Sequence, residues 1–117
     1  MSEDFLPNYF ASAASKRLDL TVEILQMASD MGPIAFRNQS LAQAGREDKT
    51  PYLSAIAQPV LLLCGNEDRI TSAEDHVRTA DLIPGAKITR IPDAGHLVTM
   101  EQPDAVNEAL LAFYGAH

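Results

Sequence analysis

The chain has 117 residues, 46% of them hydrophobic and 21% charged, which is room for one domain with one core and argues against disordered, collagen-like and disulfide-scaffold classes. Nine basic residues stand against sixteen acidic ones, and a net charge of −7 has the wrong sign for a nucleic-acid partner.

The chain opens on Met1-Ser2-Glu3-Asp4, acidic where a signal peptide would be basic, and no apolar stretch of signal length follows. Cys64 is the single cysteine, so no intrachain disulfide can form, and a cytoplasmic, reducing location is expected. The longest apolar run, Val60 to Cys64, is too short to span a bilayer, so no membrane partner is expected.

From Asn8 to about Arg46 the pattern is helical. Leu20, Ile24, Met27 and Met31 recur at i, i+4, i+7 and i+11, one apolar stripe on a 3.6-residue period. Gly32-Pro33 should end this first helix, since glycine tolerates a left-handed cap and proline cannot continue the ladder. A second helix is expected from about Ile34 to Ala44, with Ala35, Leu41 and Ala42 inward and Gly45 closing it. The two methionines read as core, although flexible thioethers under a lid can also line a substrate pocket. Arg46 to Gln58 is the boundary between this helical part (1–50) and a βαβα part (51–117), with a short helical turn at Pro51-Tyr52-Leu53.

Val60 to Cys64, behind Pro59, is apolar on both faces and suits a strand buried in a parallel sheet. Thr71 with Glu74, or Ser72 with Asp75, has capping-box spacing, so a helix should run from there to Leu82, stopped by Pro84-Gly85. Lys87 to Ile91 alternates polar and apolar residues and reads as an edge strand. Strand, helix and strand then form a βαβ unit with a right-handed crossover. A last helix begins at Pro103, buries Val106, Leu110 and Phe113, and ends at Gly115.

Working residues of open α/β sheets lie just beyond the carboxyl ends of parallel strands. There the sequence places Gly65-Asn66-Glu67-Asp68 and Pro92-Asp93-Ala94-Gly95-His96. Neighbouring strands would bring Asp68 and His96 to one sheet edge, where a carboxylate can fix the imidazole tautomer and stabilise its cation. The strings PVLLLCGNEDRITS and LIPGAKITRIPDAGHLVTMEQPDAVNEALLAFYG, with the spacing between them, resemble the last two strands and helices of an α/β-hydrolase. The resemblance covers roughly residues 51–115 and implies Asp68 as triad acid and His96 as general base and acid, with Gly65 and Gly95 as turn glycines. The N-terminal helices resemble the cap that many members insert before this point. The fold class expected is therefore α/β: a partial α/β-hydrolase fold, a cap-like helical segment followed by two parallel strands in a βαβα unit.

No Gly-x-Ser-x-Gly pentapeptide occurs in the chain. The expected function is the C-terminal portion of a serine-type hydrolase acting on a small acyl substrate, cofactor-free and inactive alone. The alternative is a non-catalytic module that self-associates through its exposed sheet edge or by swapped N-terminal helices. Cys64, Ser54 and Ser72 read as core, turn and cap residues rather than nucleophiles. Glu67, Asp68, Glu74, Asp75 and His76 lack the spacing of a known metal site, and acidic residues there suit a helix N-terminus. His76 reads as a solvated helical residue and His117 as terminal.

Overall fold

A computed structural model describes residues 10, 11 and 17–117. The order of elements is α1 (Leu18–Ala44), a 3₁₀ turn (Thr50–Ala55), β1 (Leu61–Gly65), α2 (Ala73–Leu82), β2 (Lys87–Ile91), α3 (Val98–Glu101) and α4 (Pro103–Gly115). No helix among the described residues is long and apolar enough to cross a membrane.

The two strands pair in parallel, from Leu61 opposite Lys87 to Gly65 opposite Ile91. α2 forms the crossover, and of the two capping pairs the sequence offers, Ser72 is the one used: its Oγ accepts the Asp75 N–H at 3.2 Å. α4 packs on β2, where Val106, Ile91 and Ala94 form a buried cluster covered by Leu63 and Leu110. Burying Ile91 and Val106 there contributes about 1.5–3 kcal/mol each.

Several sequence expectations are corrected. The sequence pattern is helical from Asn8, yet Phe10 and Ala11 are not helical and α1 starts at Leu18; residues 8, 9 and 12–16 lie outside the described residues. The break expected at Gly32-Pro33 is present: α1 is two helices joined at Gly32, which has φ 79° and ψ 168°, a region that essentially only glycine occupies. Leu20 and Ile24 of the stripe are buried with Phe10, but Met27 and Met31 are not core. Leu41 and Ala42, expected to face inward, are exposed, because no described element packs extensively on α1. β1 is not buried on both faces either: Leu61, Leu62 and Leu63 are only half-buried, as a two-stranded sheet covers them incompletely. α3 has no sequence signature, since four residues are too few to show a period.

Candidate active site

Parallel pairing puts the loops after β1 and β2 side by side, and backbone hydrogen bonds stitch them together beyond the last strand residues. The Asn66 N–H donates to the Ile91 carbonyl and the Glu67 N–H to the Ala94 carbonyl, both at 2.9 Å. The approach is so close that a Cβ on Gly65 would collide with the carbonyls of Ala94 and Gly95. The glycine at Gly65 is thus required by contact between the loops rather than by a turn conformation. In the second loop the left-handed backbone falls on Asp93, with φ 54°. An aspartate accepts that conformation more readily than most residues.

Asp68 and His96 are brought into contact. One carboxylate oxygen of Asp68, Oδ1, accepts the backbone N–H groups of Ile70 at 2.8 Å and Thr71 at 3.0 Å. The other, Oδ2, lies 3.1 Å from Nδ1 of His96. The first pair of bonds leaves the carboxylate no rotational freedom, so the second oxygen is aimed at the ring. The Asp68 side chain is 4% exposed and that of His96 34%. An acceptor-only carboxylate at Nδ1 places the ring proton there and leaves Nε2 as the proton acceptor. When Nε2 takes a proton, the buried anion stabilises the resulting imidazolium.

The His96 loop is also held from its other side. Both carboxylate oxygens of Glu101, at the end of α3, accept the Gly95 N–H at 3.0 Å, and Gln102 Nε2 donates to the Asp93 carbonyl at 3.1 Å. Sequence reasoning missed Glu101. The available signal was an acid among the apolar residues Leu97, Val98 and Met100, directly after the Gly-His pair.

The remaining polar candidates do other work. Cys64 is buried, and that burial pushes its thiol pKa up, away from the thiolate a nucleophile needs. Ser54 is exposed on the 3₁₀ turn, and Ser72 caps α2. His76 is part-buried, not fully solvated, with Nδ1 3.0 Å from the Ser72 carbonyl. Glu74 pairs with Arg90 and Asp75 with Arg78. Beside the site, a cleft of about 330 Å³ lies between the two halves of α1 and Leu97, lined among others by Ile24, Met27, Met31 and Phe36. The methionines thus line a cleft, the second of the two roles their chemistry allows.

Comparison with known proteins finds the fold of the chain among hydrolases. The family model described as alpha/beta hydrolase fold matches residues 13–103. The structure superposes on a thermophilic esterase from Thermogutta terrifontis with a TM-score of 0.90 at 32% identity, covering 97% of this chain and 42% of the esterase chain. The BpoC protein of Mycobacterium tuberculosis is 37% identical over 73 residues, 62% of this chain and 28% of that protein. Carboxylesterase YbfK of Bacillus subtilis is 36% identical over 62 residues, 52% of this chain and 21% of the enzyme. The chain therefore spans about a quarter of the length of these two curated relatives.

Proposed function

We propose that this chain, which belongs to the α/β-hydrolase fold family, supplies the acid and the histidine of a serine-type ester hydrolase, Asp68 and His96, to a nucleophile carried outside these 117 residues. The observation that carries the reading is the 3.1 Å contact from His96 Nδ1 to Asp68 Oδ2, with the opposite carboxylate oxygen already held by two backbone N–H groups. In that reading Nε2 of His96 takes the proton of an attacking serine hydroxyl and returns it to the leaving alcohol. A water molecule is then activated the same way to release the acid. The substrate is a small acyl compound, with the apolar cleft beneath α1 beside the histidine, and no cofactor takes part. A cytoplasmic location belongs to the same reading, on the strength of a single, buried cysteine.

With neither nucleophile elbow nor oxyanion-hole loop in the sequence, the 117-residue chain alone is expected to hydrolyse a short-chain nitrophenyl ester no faster than buffer. Turnover abolished by His96→Ala would overturn that. In a polypeptide that carries a Gly-x-Ser-x-Gly strand-turn-helix ahead of this segment, Asp68→Asn should lower kcat by about 10⁴, the usual cost of losing the orienting acid. A loss of less than about tenfold refutes the assignment of Asp68.

A second reading, a self-associating module without catalysis, is supported by a different feature. Leu18, Ile34 and Leu41 of α1 and Leu111 and Tyr114 of α4 are exposed, and β1 is only half-covered. Apolar surface of this kind drives association through a sheet edge or exchanged helices. A sedimentation mass of one chain at micromolar concentration counts against it.

A further inference from the structure

We propose that Glu101 is a positioning residue for His96, acting through the Gly95 peptide, and that the same carboxylate ties the segment at residues 10–11 to the histidine loop. The Glu101 side chain is buried at 5% exposure. Its neighbourhood is apolar: Phe10 packs in a cluster with Leu20 and Ile24 of α1, against which Leu97 and Met100 also lie. A carboxylate in such a place is costly unless backbone donors converge on it. Here they do. Oε1 accepts the Ala11 N–H at 2.6 Å, and Oε1 and Oε2 both accept the Gly95 N–H at 3.0 Å.

Gly95 immediately precedes His96, so the orientation of its peptide sets where the imidazole starts. On one side the Ala94 carbonyl is anchored to β1 by the Glu67 N–H, and on the other the Gly95 N–H is anchored to α3 by Glu101. Asp68 can engage Nδ1 only while both anchors hold the loop. Ala11 shares the same carboxylate although it lies ninety positions away in sequence. The segment that leads toward α1 is thereby fastened to the group that sets the histidine, and its docking is linked to the Asp68–His96 contact.

The test uses the full chain and the NMR signal of the His96 ring proton on Nδ1, which is displaced downfield while a carboxylate accepts it. Asp68→Asn should abolish that displacement, because its oxygen stays with the Ile70 and Thr71 N–H groups and its amide then faces the ring. Glu101→Ala should remove at least about half of it, because the ring loses its alignment to Asp68. Glu101→Gln is equally uncharged but keeps an oxygen for Gly95 and Ala11, so it should restore most of the signal, which separates positioning from loss of charge. Met100→Ala, which weakens the same packing and leaves the carboxylate, should lower the melting temperature and leave the signal unchanged.

A wild-type Nδ1 proton signal in Glu101→Ala, or the same loss of that signal in Met100→Ala or Glu101→Gln, overturns the proposal. If Glu101→Ala does not fold, Glu101→Gln and the wild-type chain still decide. The Gly95 amide must then be protected from hydrogen exchange, and exchange at the rate of an exposed loop amide overturns the proposal. The inference rests on the Asp68–His96 contact. No effect of Asp68→Asn would sink that contact and the hydrolase reading built on it, whereas a clear effect there with none in Glu101→Ala sinks the role of Glu101 alone.

Discussion

Gly65→Ala tests the junction on which the site is built. The new Cβ would lie 2.6 Å from the Ala94 carbonyl carbon, with the carbonyl oxygens of Ala94 and Gly95 closer still. Ordinary contact needs about 3.5–4.0 Å, so one loop must retreat by roughly 1 Å. All the colliding atoms are backbone, so no rotamer change relieves them. Overpacking of this kind costs about 1–3 kcal/mol. A 1 Å retreat also stretches the 2.9 Å bond from the Glu67 N–H to the Ala94 carbonyl, which is worth about 0.5–1.5 kcal/mol. The sum, about 2–4 kcal/mol, should appear in urea unfolding, with a drop in melting temperature of about 10 °C. The same movement carries His96 away from Asp68, so the downfield signal of the ring proton on Nδ1 should be lost as it is in Asp68→Asn. A variant within about 0.5 kcal/mol of the parent, with its Nδ1 proton signal unchanged, would refute the close-approach explanation of this glycine.

Four further outcomes follow from other parts of the structure. Gly32→Ala meets open space, so its whole cost is backbone strain at φ 79° and ψ 168°, of order 1–3 kcal/mol; urea unfolding should register it and circular dichroism should locate the loss in α1. Val106→Ala, at the buried cluster with Ile91, should cost about 1–3 kcal/mol. Leu111→Ala, on the exposed side of the same helix, should stay within about 0.5 kcal/mol of the parent. Burial raises the folded-state pKa of Cys64, so the stability this thiol contributes is complete below its unfolded pKa of about 8.5 and is lost as pH rises through the folded value. Urea midpoints from pH 7 to 10 should therefore fall more steeply for the parent than for Cys64→Ala, and equal slopes would show the thiol to be unperturbed.

Local pattern alone determined the elements and their order, with α3 the exception. The run Val60–Cys64 and the alternation of Lys87–Ile91 each imply a strand, Ser72 with Asp75 marks a helix start, and Gly32-Pro33 marks a break, because each depends on residues within a few positions of one another. Asp68 and His96 were legible for the same reason: each follows a strand directly, and parallel strands must leave both at one edge. Three-dimensional packing decided the rest. Whether Met27 and Met31 enter a core or line a cleft depends on what packs against α1, and a helical period carries no information about that. Gly65 needs no special φ, so its requirement arises from a loop almost thirty positions away. Glu101 stands out in sequence only as an acid among apolar neighbours, with nothing to say what it binds. Only folding brings the N–H groups of Gly95 and Ala11 to it, and it is that convergence of donors that lets a carboxylate stay buried beside the histidine loop.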